Sequence, residues 1–193
     1  YDLSNDFFAL FLDPSMMYSS AIYKGKNMDL EEASLHKLEV ICQKLNLSDT
    51  DKVIEIGSGW GGFAIYAAKK YGCHVTTTTI SKQQYQYVKA KISQLKLDKK
   101  ITVLLKDYRD LEGSYDKLVS IEMIEAVGHH YYNSYFKVIS QLLKADGQAL
   151  IQAITIKDQR YKQAIKSIDF IQKYIFPGSC IPSLTAIQNS LTH

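Results

Sequence analysis

The sequence predicts an α/β protein built on one mostly parallel, doubly wound β-sheet with helices on both faces. Short β-rich segments alternate with stretches in which apolar residues recur at helical spacing, which is the pattern of such sheets. The first predicted strand also ends in a run of glycines directly before a helix. The length of 193 residues, with 46% hydrophobic and 22% charged residues, fits one globular domain.

The predicted elements follow one another with short connections. Asp29 and Glu32 have the spacing of a capping box, and a helix is expected after them. Asp146-Gly147 is expected to end a later helix, and Ser183 to cap a final short one. The five predicted strands cover residues 52–56, 74–80, 101–105, 117–121 and 148–156, and two of the helices cover 81–97 and 131–144.

Charge and cysteine content exclude several classes of protein. Of the 23 basic residues only Arg109 and Arg160 are arginines, so specific reading of nucleic-acid bases is not expected. The three cysteines lie far apart without a Cys-x-x-Cys pair, which predicts neither a disulfide framework nor a metal site, and favours the cytoplasm. No apolar stretch reaches the ~20 residues of a membrane span. Without an initiator Met or a signal peptide, the chain is expected to start within a longer protein.

The glycine run allows two kinds of cofactor. Gly57, Gly59 and Gly62 match G-x-G-x-x-G, so a dinucleotide site is the first hypothesis. A nicotinamide-binding domain would carry an acid after its second strand, where this chain has residues 76–81, TTTTIS. Glu55, two residues before Gly57, instead suits a ligand that bears an ammonium and a sulfonium group. We therefore expect S-adenosylmethionine, with a nicotinamide oxidoreductase as an alternative.

Several further motifs occur in order along nearly the whole chain. They are residues 1–8, 12–14, 18–20, 55–62, Ser81 with Gln84, 107–109, 119–121, Glu125 with 127–128, and 174–178. In these motifs the chain resembles the cyclopropane-fatty-acyl-phospholipid synthase family, which includes the mycolic-acid cyclopropane synthases. Residues 122–128, EMIEAVG, together with Gln152 resemble the plant-type branch.

The resemblance implies a Rossmann-like S-adenosylmethionine-dependent methyltransferase. The implied reaction is methylene transfer to the cis double bond of an unsaturated phospholipid acyl chain, which forms a cyclopropane fatty acid. The enzyme would be cytoplasmic and peripheral at the inner membrane surface. Within one domain, residues 1–50 would form an N-terminal helical cap, 51–156 the cofactor-binding core and 157–193 an incomplete acyl-site insertion. Because such sheets usually end in a reversed hairpin, the chain is expected to stop before the last strands.

The resemblance also implies catalytic residues. The family holds a bicarbonate ion as the base, and the positions that carry over are Ser20, Glu125 and Gln152. Only the glutamate is kept, since the family has Cys and His at the other two positions. Serine and glutamine still donate hydrogen bonds to an anion, so a bicarbonate site remains possible. Glu122, a second acid one turn before Glu125, is interpreted as a capping or ion-pairing residue.

The implied cofactor-binding residues come from five segments of the chain. Two of them also have a purely structural interpretation, because Gln84 could cap its own helix and Tyr108 could belong to the core. The implied set is Tyr18, Ser19, Glu55, Gly57, Gly59, Trp60, Gly61, Thr79, Gln84, Tyr108 and Arg109.

The sequence leaves alternatives to the cyclopropane product. The departures at Ser20 and Gln152 also fit a related C-methyltransferase that makes a methyl-branched fatty acid. A non-catalytic domain that binds the cofactor or lipid is a further alternative, and oligomerisation is possible.

Overall fold

A computed structural model describes residues 5–191 of the chain. The motif residues 1–4 lie outside the described residues. The strands are β1 (Lys52–Ile56), β2 (His74–Thr79), β3 (Ile101–Leu105), β4 (Tyr115–Ile121) and β5 (Leu143–Gln152). The α-helices are α1 (Asn5–Ala9), α2 (Leu30–Lys44), α3 (Gly62–Tyr71), α4 (Lys82–Gln94), α5 (Tyr132–Leu142), α6 (Asp158–Ala164) and α7 (Leu184–Ser190).

The five strands form one parallel sheet in the order β3-β2-β1-β4-β5. The prediction of a parallel, doubly wound sheet is therefore confirmed. The strand order reverses between β1 and β4, because the chain first builds outward to β3 and then returns to the other side of β1. Glu55 of β1 lies level with Thr77 of β2 and Val119 of β4, so the carboxyl ends of these strands meet at one edge of the sheet.

The core has two layers, one on each face of the sheet. Alternate residues of β1 point to opposite faces, so Val53 packs in one layer and Ile54 in the other. The first layer contains side chains of α2, α3 and α4, and the second contains those of α5, including the fully buried Tyr135. Both layers extend along the strands and fix the positions of the loops at their carboxyl ends.

The fifth strand differs most from its predicted boundaries. The fifth strand was expected at 148–156, but β5 is Leu143–Gln152 and follows α5 without a break. Asp146-Gly147 lies inside β5 and not in a turn before it. The pairing with β4 jumps from Tyr115 opposite Leu143 to Lys117 opposite Gln148, so the residues between form a bulge. The strand therefore begins before Gly147, although this glycine was expected to precede the strand.

The motif at residues 174–178 begins within a π-helical turn, Ile171–Ile175. The helix caps at Asp29 and Ser183 agree with the predictions. In α2 the Glu32 amide donates to Asp29 Oδ1 over 2.8 Å, and the Asp29 amide donates to Glu32 Oε2 over 3.2 Å. Ser183 accepts from the Ala186 amide over 3.2 Å and caps α7 as predicted.

The segments outside the sheet are tied to it by specific contacts. The Trp60 ring lies 4.6 Å from that of Phe8, and its indole N–H donates to Asn5 Oδ1 over 2.8 Å. At the other end of the chain, the Cys180 amide donates to the Glu125 carbonyl over 2.8 Å. The three-part division at residues 50 and 156 stays a prediction. Within residues 5–191, no helix has the length and apolar character needed to span a bilayer.

Gly61 is a position where the fold requires glycine. Its φ is +87°, and a Cβ there would lie 3.0 Å from a methyl group of Val88. We expect Gly61→Ala to lower the free energy of unfolding by about 1–3 kcal/mol, because left-handed strain and the contact with Val88 add. Gly25→Ala is the matched control, since a Cβ there meets nothing within 4 Å. Urea denaturation of both variants checks this, and equal stabilities would contradict it.

Candidate functional site

The candidate site lies at the carboxyl ends of β1 and β4, where the strand order reverses. Open parallel sheets bind ligands at this point because the loops that leave two neighbouring strands diverge there. The glycine loop follows β1, and residues 122–128 follow β4. The two loops are in contact, since a Cβ at Gly57 would lie 3.3 Å from Cγ of Met123.

The glycine loop is shaped by left-handed backbone conformations. Gly57 has a φ of +94° and Gly59 a φ of +49°, which most other residues adopt only with strain. The loop is held to the sheet by the Gly57 and Ser58 amides, which donate to the Thr78 carbonyl over 3.1 and 2.8 Å. A Cβ at Gly59 would meet no atom within 4 Å. Space for a ligand therefore adjoins the backbone at Gly59.

Glu55 is buried at the end of β1, with 2% of its surface exposed. Thr77 donates a hydrogen bond to its Oε2 over 2.6 Å. Burial raises the pKa of Glu55 to about 8, and the bond from Thr77 only partly opposes this shift. Without a cationic partner the side chain is therefore mostly a neutral acid at pH 7.

Thr79 and Gln84 are brought together after β2. The Thr79 hydroxyl donates to Gln84 Oε1 over 2.7 Å and accepts from the Ser81 amide over 3.1 Å. The Gln84 amide donates to Ser81 Oγ over 3.3 Å. Only half of the capping box is formed, because the Gln84 side chain bonds to Thr79 and not to the Ser81 amide.

Tyr108 and Arg109 lie in a 3-10 turn, Tyr108–Asp110, after β3. The Tyr108 ring packs edge-on against Tyr135 with centroids 5.5 Å apart, and burial raises the pKa of its hydroxyl. Arg109 makes a two-pronged ion pair with Asp107, with both N–O distances 2.9 Å. This pair holds the pKa of Asp107 below its usual value. Arg109 is thus anchored at the surface by Asp107.

Tyr18 and Ser19 belong to the N-terminal segment beside the site. The Tyr18 ring packs edge-on against Phe8 at 5.4 Å. Ser19 Oγ accepts a 2.6 Å hydrogen bond from Nζ of Lys37, which is fully buried. Burial lowers the pKa of Lys37 to about 8, although the negative charges of Glu122 and Asp13 oppose the shift. This buried lysine was not identified from the sequence.

Ser20 and Gln152 converge on Glu122. The Ser20 amide donates to Glu122 Oε1 over 3.0 Å, and the Ser20 hydroxyl donates to the same oxygen. Gln152 Nε2 donates to that oxygen over 2.8 Å and to the Ser20 carbonyl over 3.2 Å. The interpretation of Glu122 as a cap or ion-pairing residue was therefore incomplete. The sequence contains one signal for this role of Glu122. The chain departs from the family pattern at both Ser20 and Gln152, and it carries Glu122 as an additional acid.

Glu125, the third predicted catalytic residue, is held separately from this group. Its Oε1 accepts from the Ile154 amide over 2.5 Å. Its Oε2 is buried and has no hydrogen-bond partner in the described part of the chain. Burial and, to a smaller extent, the charge of Glu122 raise the pKa of Glu125. Between residues 5 and 191, no three His, Cys, Asp or Glu residues are grouped so as to hold a metal ion.

Comparison with known proteins finds cyclopropane synthases and related methyltransferases similar to this chain. The family model described as mycolic acid cyclopropane synthetase matches residues 1–193. The cyclopropane-fatty-acyl-phospholipid synthase of Escherichia coli is 41% identical over 190 residues, which is 98% of this chain and 47% of that protein. Cyclopropane mycolic acid synthase 3 of Mycobacterium tuberculosis is 35% identical over 196 residues, covering 97% of this chain and 68% of that protein.

Solved structures show the same fold. The cyclopropane synthase MmaA2 from Mycobacterium tuberculosis superposes with a TM-score of 0.89 at 30% identity, covering 99% of this chain and 70% of that one. The mycolic acid cyclopropane synthase CmaA1 complexed with SAH superposes with a TM-score of 0.90 at 33% identity, covering 98% of this chain and 70% of that one.

The relatives are longer than this chain. The chain spans about half the length of the first relatives it matches. The two relatives named above are bacterial, and a sphingolipid C9-methyltransferase of the fungus Gibberella zeae is 34% identical, so they give no support to the plant-type branch. The fold is that of a Rossmann-like S-adenosylmethionine-dependent methyltransferase, and the chain belongs to the mycolic acid cyclopropane synthetase family.

Proposed function

We propose that this protein transfers a methylene unit from S-adenosylmethionine to the cis double bond of an unsaturated phospholipid acyl chain, which forms a cyclopropane ring. The observation that carries the proposal is that two carboxyl groups, Glu122 and Glu125, follow β4 beside the glycine loop. Ring closure after methyl transfer requires loss of a proton, and a carboxylate beside the donor site can accept it. Family membership and the name of the Escherichia coli relative support this choice.

The residues present fit S-adenosylmethionine. Open space at Gly59 lets the backbone approach a ligand, and Glu55 provides a buried carboxyl for its positive charge. Tyr18, Ser19 and the loop to Gly61 would surround the ligand. We place Thr79 with Gln84, and Tyr108 with Arg109, at its ribose and adenine, while Trp60 supports the loop from behind through Phe8 and Asn5. When bound, the cofactor supplies an electrophilic methyl group.

The protein's own task is to align a weakly nucleophilic alkene, exclude water and remove a proton. Ser20 and Gln152 hold a carboxylate in place through directed hydrogen bonds. Glu125 adds a second carboxyl, near enough for the charge of Glu122 to raise its pKa, and its Oε2 is buried without a hydrogen-bond partner in the described part of the chain. We assign the proton-accepting step to this group of side chains.

Exposed apolar side chains support a lipid acceptor. Ile168, Phe170 and Tyr174 are 78%, 66% and 61% exposed, and Leu10 near the other end of the chain is 83% exposed. Large exposed apolar residues are typical of surfaces that meet lipid or another protein. Together with an excess of lysines, which attract anionic headgroups, they support peripheral binding at the cytoplasmic side of the inner membrane.

A second candidate is a C-methyltransferase that makes a methyl-branched chain. The tuberculostearic acid methyltransferase of Mycobacterium tuberculosis is 38% identical over 194 residues, which is 97% of this chain and 45% of that protein. The substitutions at Ser20 and Gln152 change the group that would remove the proton, and a different proton loss gives a different product. The experiment below separates the two outcomes.

We expect the protein to convert cis-unsaturated phospholipid vesicles and methyl-deuterated S-adenosylmethionine into a product that retains two deuterons of each transferred methyl. One deuteron leaves when the ring closes, so mass spectrometry of the released fatty acids reports the step. Proton NMR of the product made with unlabelled cofactor would show the ring methylene.

Vesicles of the corresponding saturated phospholipid are the control, because they offer no alkene. Retention of three deuterons would instead establish the methyl-branching activity. Absence of label from the lipid, with the cofactor still bound, would favour a non-catalytic domain.

We expect cofactor binding to release a proton from Glu55. The free side chain has a pKa of about 8, and a nearby cation lowers that pKa, so the affinity should rise with pH until Glu55 is ionised in the free protein. Calorimetry at pH 7 in buffers of different ionisation enthalpy measures the release. The proton release should disappear near pH 9.5, where Glu55 is already ionised, and in the Glu55→Gln variant. A release that persists in Glu55→Gln would assign the proton to another group.

We expect Glu125→Gln to lower kcat by about 10- to 100-fold with little change in KM, because the amide keeps an acceptor for the Ile154 N–H but cannot exchange a proton. Steady-state kinetics on vesicles measures both constants. Glu112→Gln, at an exposed carboxylate, is the matched control. Undiminished turnover of Glu125→Gln would remove Glu125 from the catalytic group.

A further inference from the structure

Glu122 occupies the position where the resemblance expects a bound anion. The backbone N–H and hydroxyl of Ser20 and the amide of Gln152 all donate to its Oε1, at 3.0 Å for the backbone donor and 2.8 Å for the amide. Ser20 and Gln152 are two of the three positions implied to hold bicarbonate. Their donors are therefore directed at a carboxylate that belongs to the chain itself.

The backbone places this carboxylate at the site. Glu122 follows β4 directly, and its N–H donates to the Gln152 carbonyl over 2.8 Å. Its φ is +48°, a left-handed conformation that is uncommon for residues other than glycine and is often found at functional sites. The next residue, Met123, contacts the glycine loop at Gly57. The conformation thus keeps the Glu122 side chain between β5 and the N-terminal segment, while the next residue reaches the glycine loop.

A free bicarbonate ion does not fit this arrangement. The donors that would bind it are already used by Glu122, and a second anion beside that carboxylate would meet like-charge repulsion. The buried Lys37 ammonium interacts favourably with the charge of Glu122. The surroundings therefore suit one fixed negative charge supplied by the protein.

We propose that Glu122 is the catalytic base, in place of the bicarbonate used by other family members. This inference rests on the proposed function. Oε1 accepts the three hydrogen bonds, whereas no hydrogen bond within residues 5–191 ends on Oε2, so Oε2 is available for a proton. Ser20 and Gln152 are positioning residues for this carboxylate.

The proton-transfer step balances without any further reactant. After the methyl group has joined one alkene carbon, the other carbon is a cation. A C–H bond of the new methyl group breaks, its electron pair forms the second ring bond to the cationic carbon, and the proton passes to Oε2 of Glu122. The neutral acid then returns its proton to water before the next turnover.

The two carboxyl groups of the site have different surroundings. Burial raises the pKa of Glu125, and its Oε2 has no hydrogen-bond partner within residues 5–191. Oε1 of Glu122 instead accepts hydrogen bonds from Ser20 and Gln152. Glu122 is therefore the carboxylate that Ser20 and Gln152 orient, which supports it as the group that accepts the proton.

The first test removes the carboxylate and keeps its shape. We expect Glu122→Gln to lose about 100-fold or more of ring formation from vesicles, and Glu112→Gln, at an exposed carboxylate, to remain as active as the native protein. The native protein should work equally well in carbon-dioxide-free buffer with and without added sodium bicarbonate. Turnover of the native protein that requires bicarbonate, or full activity of Glu122→Gln, would overturn the proposal.

The second test opens the anion site. Glu122→Gly should fold well, because glycine suits the left-handed backbone, and it leaves the donors of Ser20 and Gln152 free. We expect sodium bicarbonate or formate to restore its ring formation by tenfold or more. Carbon-13 NMR of labelled bicarbonate should show line broadening with Glu122→Gly but not with the native protein.

The NMR arm separates this inference from the proposed function. Bicarbonate binding to the native protein would overturn the base assignment, whether or not methyl transfer occurs. Loss of ring formation in Glu122→Gly without rescue by either anion would also contradict it. If native protein and variants all fail to label the lipid, the proposed function fails, while the binding comparison still tests which anion the site holds.

Discussion

The parallel pairing of β1 with β4 is the interaction on which the site depends. It joins Val53–Ile56 to Lys117–Ser120 in register, so the ends of the two strands are level. The loops that follow them then diverge from neighbouring points, and one carries glycines while the other carries two acids. Because the side chains of β1 alternate between two apolar layers, a shift in this register would bury the wrong residues and separate the two loops.

A second feature is the number of ionisable groups buried near that edge. Glu55, Lys37 and Glu125 all have pKa values displaced toward the neutral form, and burial is the main cause in each case. Leaving such groups out of water costs free energy that a purely structural site would avoid. This cost is consistent with a site that binds a cationic ligand and transfers a proton, because both events depend on ionisable groups with displaced pKa values.

Some features could be predicted from local sequence alone. The strands β1 and β3, the capping box at Asp29 and the cap at Ser183 depend on neighbouring residues, and each was predicted correctly. The start of β5 was not, because its pairing with β4 depends on a bulge that involves Tyr115. The partners of Arg109 and Trp60 were also not predicted. Arg109 bonds to Asp107 and Trp60 bonds to Asn5, although the sequence pattern around both side chains fits ligand binding equally well.

The sequence by itself determined the doubly wound fold, the glycine loop and the family, because each is encoded by a short pattern whose physical requirement is local. Only the tertiary structure decided which acid is aligned with Ser20 and Gln152. Those residues are 102 and 30 positions from Glu122 along the chain, and no local pattern relates them. The parallel sheet brings their loops to one edge, and the left-handed backbone at Glu122 then places its carboxylate within reach of both donors.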